Sequence, residues 1–351
     1  MNNIERVRER LFNIADALIV ADEKTGMYLC GFPASDSTVF VTRNSATLFT
    51  DPRYIEAAEK EVRGCTAKLP EVSVVADIKK IIADEGIKTV AFEDRKLTVS
   101  ALARYESLFE GVKFVPAGDL IESLCEYKTE EELAAIRAAQ DLTDRAFAEV
   151  LPLLNYNMTE QEVAAEIEYR MKRLGAQAPS FETIAVSGTQ SSRPHGVPRN
   201  VKLERGFLTM DFGCILNGYC SDMTRTVSVG KADEEMKKVY NTVLRAQTAA
   251  IDFVREGVLC CDADKVARDI IDAEYKGCFG HSLGHGVGMY IHEEPRLSSR
   301  CTKVLKVGHV VTVEPGIYIH GKYGVRIEDM MQITSSGAID ITKSPKNLIE
   351  I

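Results

Sequence analysis

Asp211, Asp222, His285, Glu314 and Glu328 stand in MDFG, CSDMTRT, HSLGHGVG, VEPG and RIED, each polar group bedded among apolar, strand-forming residues. A carboxylate inside an apolar strand costs free energy unless a cation receives it. The first two can be placed by geometry. Asn217-Gly218 is a strong hairpin signal, and as a type I′ turn it sets residue 216 opposite 219, 213 opposite 222 and 211 opposite 224. Asp211 and Asp222 then lie diagonally on one face, where backbone neighbours are roughly 7–8 Å apart. Side chains at that separation converge on ions held between them, whereas two bare anions repel. The competing assignment has Asp211 capping a turn and Asp222 pairing with Arg225.

Downstream, HSLGHGVG sets His281 and His285 four residues apart. Gly284, Gly286 and Gly288 oppose a helix there and fit a softened strand or loop that lets backbone approach a ligand. One imidazole is expected to ligate and the other to contact substrate. Pro315-Gly316 supplies the turn that swings Glu314 inward. Arg326, one strand-face step before Glu328, is placed either to anchor a ligand carboxylate from behind the metal ligands or to form a surface pair. Of the six histidines, His195, His281, His285 and His292 occur in RPHGVP, HSLGHG and IHEEP, glycine- and proline-rich surroundings foreign to core histidines. His309 and His320 are assigned no function.

The elements that must position these groups fall into two domains, residues 1–125 and 126–351. Before the boundary, β-rich runs (ALIVAD, MYLCGF, TVFVTR, ATLFT, KTVAFE, VKFVPA) alternate with helical ones near Arg53 and Ala101, as in a small α/β domain. No catalytic groups gather there. The second domain starts at Thr129, which has capping-box spacing to Glu132 ahead of Ile136, Ala139, Thr143, Phe147, Val150 and Leu154 on one helical face. It contains an internal repeat. Thr159, with Glu162 as its partner, caps a helix carrying Val163, Ala164 and Ile167; about a hundred residues on, Asp262 is expected to cap one carrying Val266, Ala267 and Ile270. Each follows a longer helix and precedes strands, giving two helix-helix-strand-strand halves whose pairing makes one curved sheet backed by helices.

Bulk properties bound the function. A net charge of -9 and a pI near 5.4 argue against nucleic acid as partner, since phosphate neutralisation needs a basic face. The first twenty residues read as an amphipathic helix (Ile4, Val7, Leu11), not a signal peptide, and no stretch reaches the roughly 18 apolar residues of a membrane span. Nine cysteines without a CxxC pair fit a reducing compartment, so a cytoplasmic protein is expected.

The order Asp, Asp, His, Glu, Glu in these contexts resembles the pita-bread metallopeptidase family of methionine aminopeptidase, prolidase and aminopeptidase P. HSLGHGVG followed by IHEEP, with a separate amino-terminal α/β domain, resembles its proline-directed branch. The likeness spans nearly the whole chain, most specifically after Ser180. Cys125 and His309 depart from residue types common in the family, but away from the inferred site. The resemblance implies a creatinase-like α/β domain followed by a pita-bread catalytic domain with pseudo-two-fold halves. It further implies that Asp211 chelates one of two ions, that Asp222 and Glu328 bridge or flank both, and that His285 and Glu314 complete the other. Four carboxylates and an imidazole suit manganese, with cobalt or zinc able to bind. Two ions sharing a water would lower its pKa and make a hydroxide nucleophile.

The implied reaction is hydrolysis of the bond between an amino-terminal residue and a following proline. His292 would stabilise the oxyanion, Glu314 would move the proton, and His195 and His281 would position the carbonyl and the proline. Aminopeptidase P, which accepts longer peptides, is favoured over the Xaa-Pro dipeptidase, prolidase, because no additional basic residue stands out to hold a dipeptide's carboxylate. A metal-free binding module of the same fold would show lost ligands or a charged tail, and neither is present. The family resemblance also implies a homodimer.

Overall fold

The chain, described over residues 2–33 and 35–351 by a computed structural model, divides into two compact units, one ending at Leu124 and one beginning at Cys125. The first opens with the helix Asn3–Leu11, started by a reciprocal capping box between Asn2 and Glu5 and burying Ile4, Val7 and Leu11 at helical spacing. Its six-stranded mixed sheet runs Thr66–Lys68, Ala46–Phe49, Thr38–Thr42, Ala17–Val20, Thr89–Phe92, Lys113–Pro116. The last three are mutually parallel, and Ala17–Val20 pairs antiparallel with Thr38–Thr42. MYLCGF, expected as β, instead belongs to the helix Glu23–Cys30 and its exit. Asp22 accepts the Thr25 amide at 3.0 Å and Gly31 closes the last turn, so caps at both ends override the β propensity between them.

The second unit repeats a pattern. Helices Glu130–Val150 and Glu160–Arg173, both opened by capping boxes, precede a three-stranded antiparallel sheet in the order Met223–Val229, Gly206–Phe212, Ile184–Ser187. Helices Glu234–Phe253 and Cys260–Tyr275 precede a five-stranded antiparallel sheet in the order Glu293–Leu297, Gly284–Gly286, Val310–Val313, Asp329–Thr334, Gly337–Asp340. Each half has its own core. Phe147 and Ile167 pack with Leu208, Met210 and Phe212 in the first, and Val243 and Ala267 with Val311, Val313 and Met331 in the second. Truncating a buried aromatic such as Phe212 to alanine costs about 3–5 kcal/mol in such a setting.

Asp262 does not cap the last helix; it lies in the first turn, and Leu259 occupies the cap position without a side-chain bond. The Cys260 and Cys261 amides donate to the carbonyls of Lys303 and Cys301 at 2.9 and 3.0 Å, so a neighbouring segment does what a capping side chain would do. The two sheets are stitched where the acidic motifs fall: the Glu328 amide donates to Thr224 O at 3.2 Å and the Thr226 hydroxyl to Arg326 O at 2.9 Å. No helix among the described residues is long and apolar enough to cross a membrane.

Candidate metal centre

Asn217 and Gly218 take φ of 51° and 80°, the left-handed pair a type I′ turn requires. The register follows: Leu216 pairs with Tyr219 and Asp211 with Thr224. From the other half, the strand Gly284–Gly286 brings His285 alongside; a Cβ on Gly284 would lie 2.0 Å from Thr312 O, so only glycine permits that approach. Glu314 and Glu328 sit in the two-residue links that follow Val310–Val313 and precede Asp329–Thr334. Asp211, Asp222, His285, Glu314, Glu328, His195, His281, His292 and Arg326 all line one cavity of about 380 Å³.

Candidate ligand atoms of Asp222, His285 and Glu328 lie within 4.8 Å of one another. His285 Nδ1 is 3.1 Å from the Gly286 carbonyl, an acceptor only, so Nδ1 carries the proton and Nε2 is left for coordination. That Nε2 stands 3.3 Å from Glu314 Oε1 and 3.5 Å from Asp222 Oδ2. A neutral ring would aim a lone pair at two anions; a proton or a cation must lie between them. Asp211 gives Oδ2 to Arg326 Nη2 at 2.5 Å, while its Oδ1 is buried without a hydrogen-bond donor among the described residues.

Burial, with the charges of Glu328 and Asp211, pushes the Asp222 carboxyl well above its ordinary range. Burial, Glu314 and Asp211 do the same to Glu328, and burial raises Asp211 against the pull of Arg326. For His285 burial acts downward but is outweighed by the hydrogen bond and charge of Glu314, so its pKa rises. Glu314 shows the reverse balance: burial would raise it, and His285 holds it at about 2. Two buried carboxylates, Asp222 and Glu328, and two half-buried ones, Asp211 and Glu314, face one fixed guanidinium. Clustered anions, an orphaned Asp211 oxygen and an imidazole nitrogen directed at carboxylates are the donor set of a hard divalent cation.

Arg326 does not stand free for a substrate carboxylate. Besides Asp211 it donates from Nε to Thr224 Oγ1 at 2.9 Å and from Nη1 to Tyr318 Oη at 2.7 Å, and Thr224 in turn donates to Glu328 Oε2 at 2.7 Å. One guanidinium thus orients two of the acids. His281, expected at the substrate, has both ring nitrogens engaged. Nδ1 lies 2.9 Å from Ser282 O, so it is the donor, and Nε2 accepts from the Tyr318 hydroxyl at 3.0 Å. His292 faces His285 with ring centroids 4.4 Å apart, and burial lowers its pKa. Asp222 does not pair with Arg225, whose guanidinium goes to Asp329. Sequence analysis missed Tyr318, Thr224 and Arg296. Tyr318, two residues after Pro315-Gly316, offered no signal; Arg296, four residues after His292, lay just beyond the IHEEP motif. Arg296 lines the cavity with its side chain exposed, and among the described residues it has no ion-pair partner.

A buried acid-and-histidine cluster carried on two repeated halves defines a metallohydrolase. The model of metallopeptidase family M24 matches residues 134–335, and that of the creatinase/prolidase N-terminal domain matches residues 4–124. The chain belongs to metallopeptidase family M24, within its proline-directed branch. The Xaa-Pro dipeptidase of Pyrococcus furiosus is 36% identical over 340 residues, 96% of either chain. The structure of an Xaa-Pro dipeptidase from Bacillus anthracis superposes with a TM-score of 0.95 at 38% identity, covering 99% of each chain. That of an X-Pro aminopeptidase from Thermotoga maritima superposes at 0.93 with 36% identity, over 98% of this chain and 99% of the other.

Proposed function

We propose that the protein is a metal-dependent Xaa-Pro dipeptidase, a prolidase, with Asp211, Asp222, His285, Glu314 and Glu328 holding two divalent ions. When bound, such ions supply Lewis acidity and lower the pKa of a water. Manganese suits the carboxylate-rich donor set. Around it, Glu314 takes the proton of the attacking water on its carboxylate and passes it towards the leaving nitrogen. His292 donates to the developing oxyanion, and His195 lines the wall expected to hold the proline. Tyr318 and Arg326 fix His281 and Asp211 and exclude other orientations.

Arg296 carries the choice between dipeptidase and aminopeptidase. A dipeptide ends in a carboxylate directly after its proline, and this guanidinium, without a counter-charge, lines the same cavity as His292. It is the basic residue whose absence from the motifs favoured aminopeptidase P. The likeness to dipeptidases of Pyrococcus furiosus and Bacillus anthracis supports the same reading. The likeness to the Thermotoga maritima aminopeptidase favours aminopeptidase P as the second reading. Nine cysteines without a CxxC pair fit a reducing compartment such as the cytoplasm.

The deciding experiment compares an Xaa-Pro dipeptide with an Xaa-Pro-Xaa tripeptide at equal manganese loading, in the wild type and in Arg296→Met. The dipeptide should be preferred, and Arg296→Met should raise its KM roughly 10–100-fold, the equivalent of one charged hydrogen bond, while sparing the tripeptide. A wild type that prefers the tripeptide is an aminopeptidase P.

A further inference from the structure

His292 and Arg296 lie on the hairpin that leaves Gly284–Gly286 and returns as Glu293–Leu297. The loop between these strands starts with the Val287 amide donating to Val310 O at 3.0 Å and is then tied from two sides. On one side the Cys220 amide donates to Gly288 O at 2.8 Å, two residues before Asp222. On the other, the Glu293 carboxylate accepts the Tyr290 amide on Oε1 at 3.0 Å and meets Lys128 Nζ with Oε2 at 2.9 Å. Lys128 precedes the first helix of the unit and is itself held, its amide donating to Gly308 O at 3.0 Å.

The pair is almost sealed from water, with side-chain exposures of 1% for Lys128 and 6% for Glu293. A Cβ on Gly288 would stand 2.4 Å from Glu293 Oε2, so the carboxylate lies directly over the loop it braces. A buried ion pair is a poor source of net stability, because desolvation consumes most of the Coulomb gain. Its geometric consequence is larger: it holds Glu293, the residue after His292, and through it the Tyr290 amide two residues before, so that His292, whose ring packs 4.4 Å from that of His285, is fixed from both sides. Displacement by about 1 Å of a group acting on the transition state costs on the order of 10²-fold in rate.

We propose that Lys128 and Glu293 are positioning residues that hold the 287–292 loop so that His292 stands against the metal site. Neither lines the cavity. The kinetic part of the proposal rests on the peptidase reading above; the structural part does not. Removing either charge strands its partner in a dry site and destabilises the fold, whereas neutralising both together removes the electrostatic conflict and leaves only the lost tether.

The test uses the full manganese-loaded chain with Lys128→Met, Glu293→Gln and the double variant. The singles should lower kcat roughly 10–100-fold, the range for a residue that orients another, with KM and bound manganese nearly unchanged. The double variant should recover the thermal midpoint but not kcat, and amide exchange in 287–292 should accelerate in all three. Recovery of kcat together with the midpoint would reduce the pair to a structural role and overturn the proposal. If the singles do not fold, the double variant decides. If the wild type cleaves no Xaa-Pro peptide, the peptidase reading falls alone; unchanged exchange in 287–292 would then sink the tether.

Discussion

Glu328 and Asp329 are neighbours in the chain with 1% and 0% of their surface exposed, and their charges meet opposite fates. Glu328 faces a cavity where acids outnumber fixed cations, and its carboxyl is pushed well above the ordinary range by burial, Glu314 and Asp211. Asp329 points the other way. Burial would raise it too, but the charges of Arg225 and Lys346 prevail and hold it below its usual value. Arg225 Nη2 donates to Asp329 Oδ1 at 2.8 Å, Gln247 Nε2 donates to Oδ2 at 2.6 Å, and Lys346 pairs with Oδ2. Arg225 also donates to Glu328 O, Ser344 O and Pro345 O, tying the Ser344-Pro345 segment to the strand junction. One strand junction thus carries an unbalanced cluster that fits a cation and a balanced one that holds the fold. Burial alone separates neither; the inventory of counter-charges does.

Charge-removing amides at the two positions should therefore fail differently, and this is the largest effect expected. Glu328→Gln should lower kcat/KM by about three decades or more, since metal stabilisation of a transition state is worth several kcal/mol, while the metal-free thermal midpoint stays level or rises as repulsion is relieved. Asp329→Asn leaves Arg225 buried without its anion and should cost about 3–5 kcal/mol of stability. Urea unfolding in chelator, read beside manganese-supported turnover, checks both. Equal loss of stability in the two variants would erase the distinction.

Acid should sharpen the contrast. In metal-free protein Asp222 and Glu328 have folded pKa values above their unfolded values of 3.8 and 4.5, so the folded state binds more protons between them and stability falls as pH rises. His285, also raised from 6.5, acts with the same sign. Asp329, lowered from 3.8, stabilises above that value and loses its contribution as pH drops further. His281, His292 and His309, lowered from 6.5 by burial, oppose Asp222, Glu328 and His285 over the same range, so the effect of Glu328 is read as a difference: in chelator the midpoint of the wild type minus that of Glu328→Gln should be larger near about pH 5 than near about pH 8, by about 2–4 °C for each kcal/mol gained. Manganese should flatten the neutral limb. A pH-independent difference between the two midpoints in chelator would mean that Glu328 carries no strain from its neighbouring acids.

The same contrast explains what could be read from sequence. The Asn217-Gly218 turn and the capping boxes at Thr129 and Thr159 are local, written in residues a few positions apart, and their geometry follows from steric and hydrogen-bonding rules. The acids announced themselves by being out of place in apolar strands. Asp329 gave no comparable signal: its partners Arg225, Gln247 and Lys346 lie on other elements, and Arg225 looked equally suited to Asp222. Tyr318 and Lys128 share this illegibility, and Arg326, though visible as a candidate, has other partners than those expected of it, because each acts through a contact that only packing creates. Where a helix start was supplied by a neighbouring loop, as at Cys260, local rules misplaced the cap.

Gln247 offers the smallest and most discriminating test of the balanced side. Its amide nitrogen donates to Asp329, yet its Oε1 is buried without a partner among the described residues. Gln247→Leu deletes one hydrogen bond to a charged group, worth about 1.5–3 kcal/mol, and also deletes an orphaned carbonyl whose burial costs about 1–3 kcal/mol. The two terms oppose each other, so the net change in unfolding free energy should lie within about 1 kcal/mol, with turnover unaltered. Such near-neutrality would mean that Arg225 and Lys346 suffice to balance Asp329, the condition the metal side lacks without its ions. A loss above about 2 kcal/mol would show instead that Asp329 depends on its neutral donor, and that the inventory of charges is not what separates the two faces.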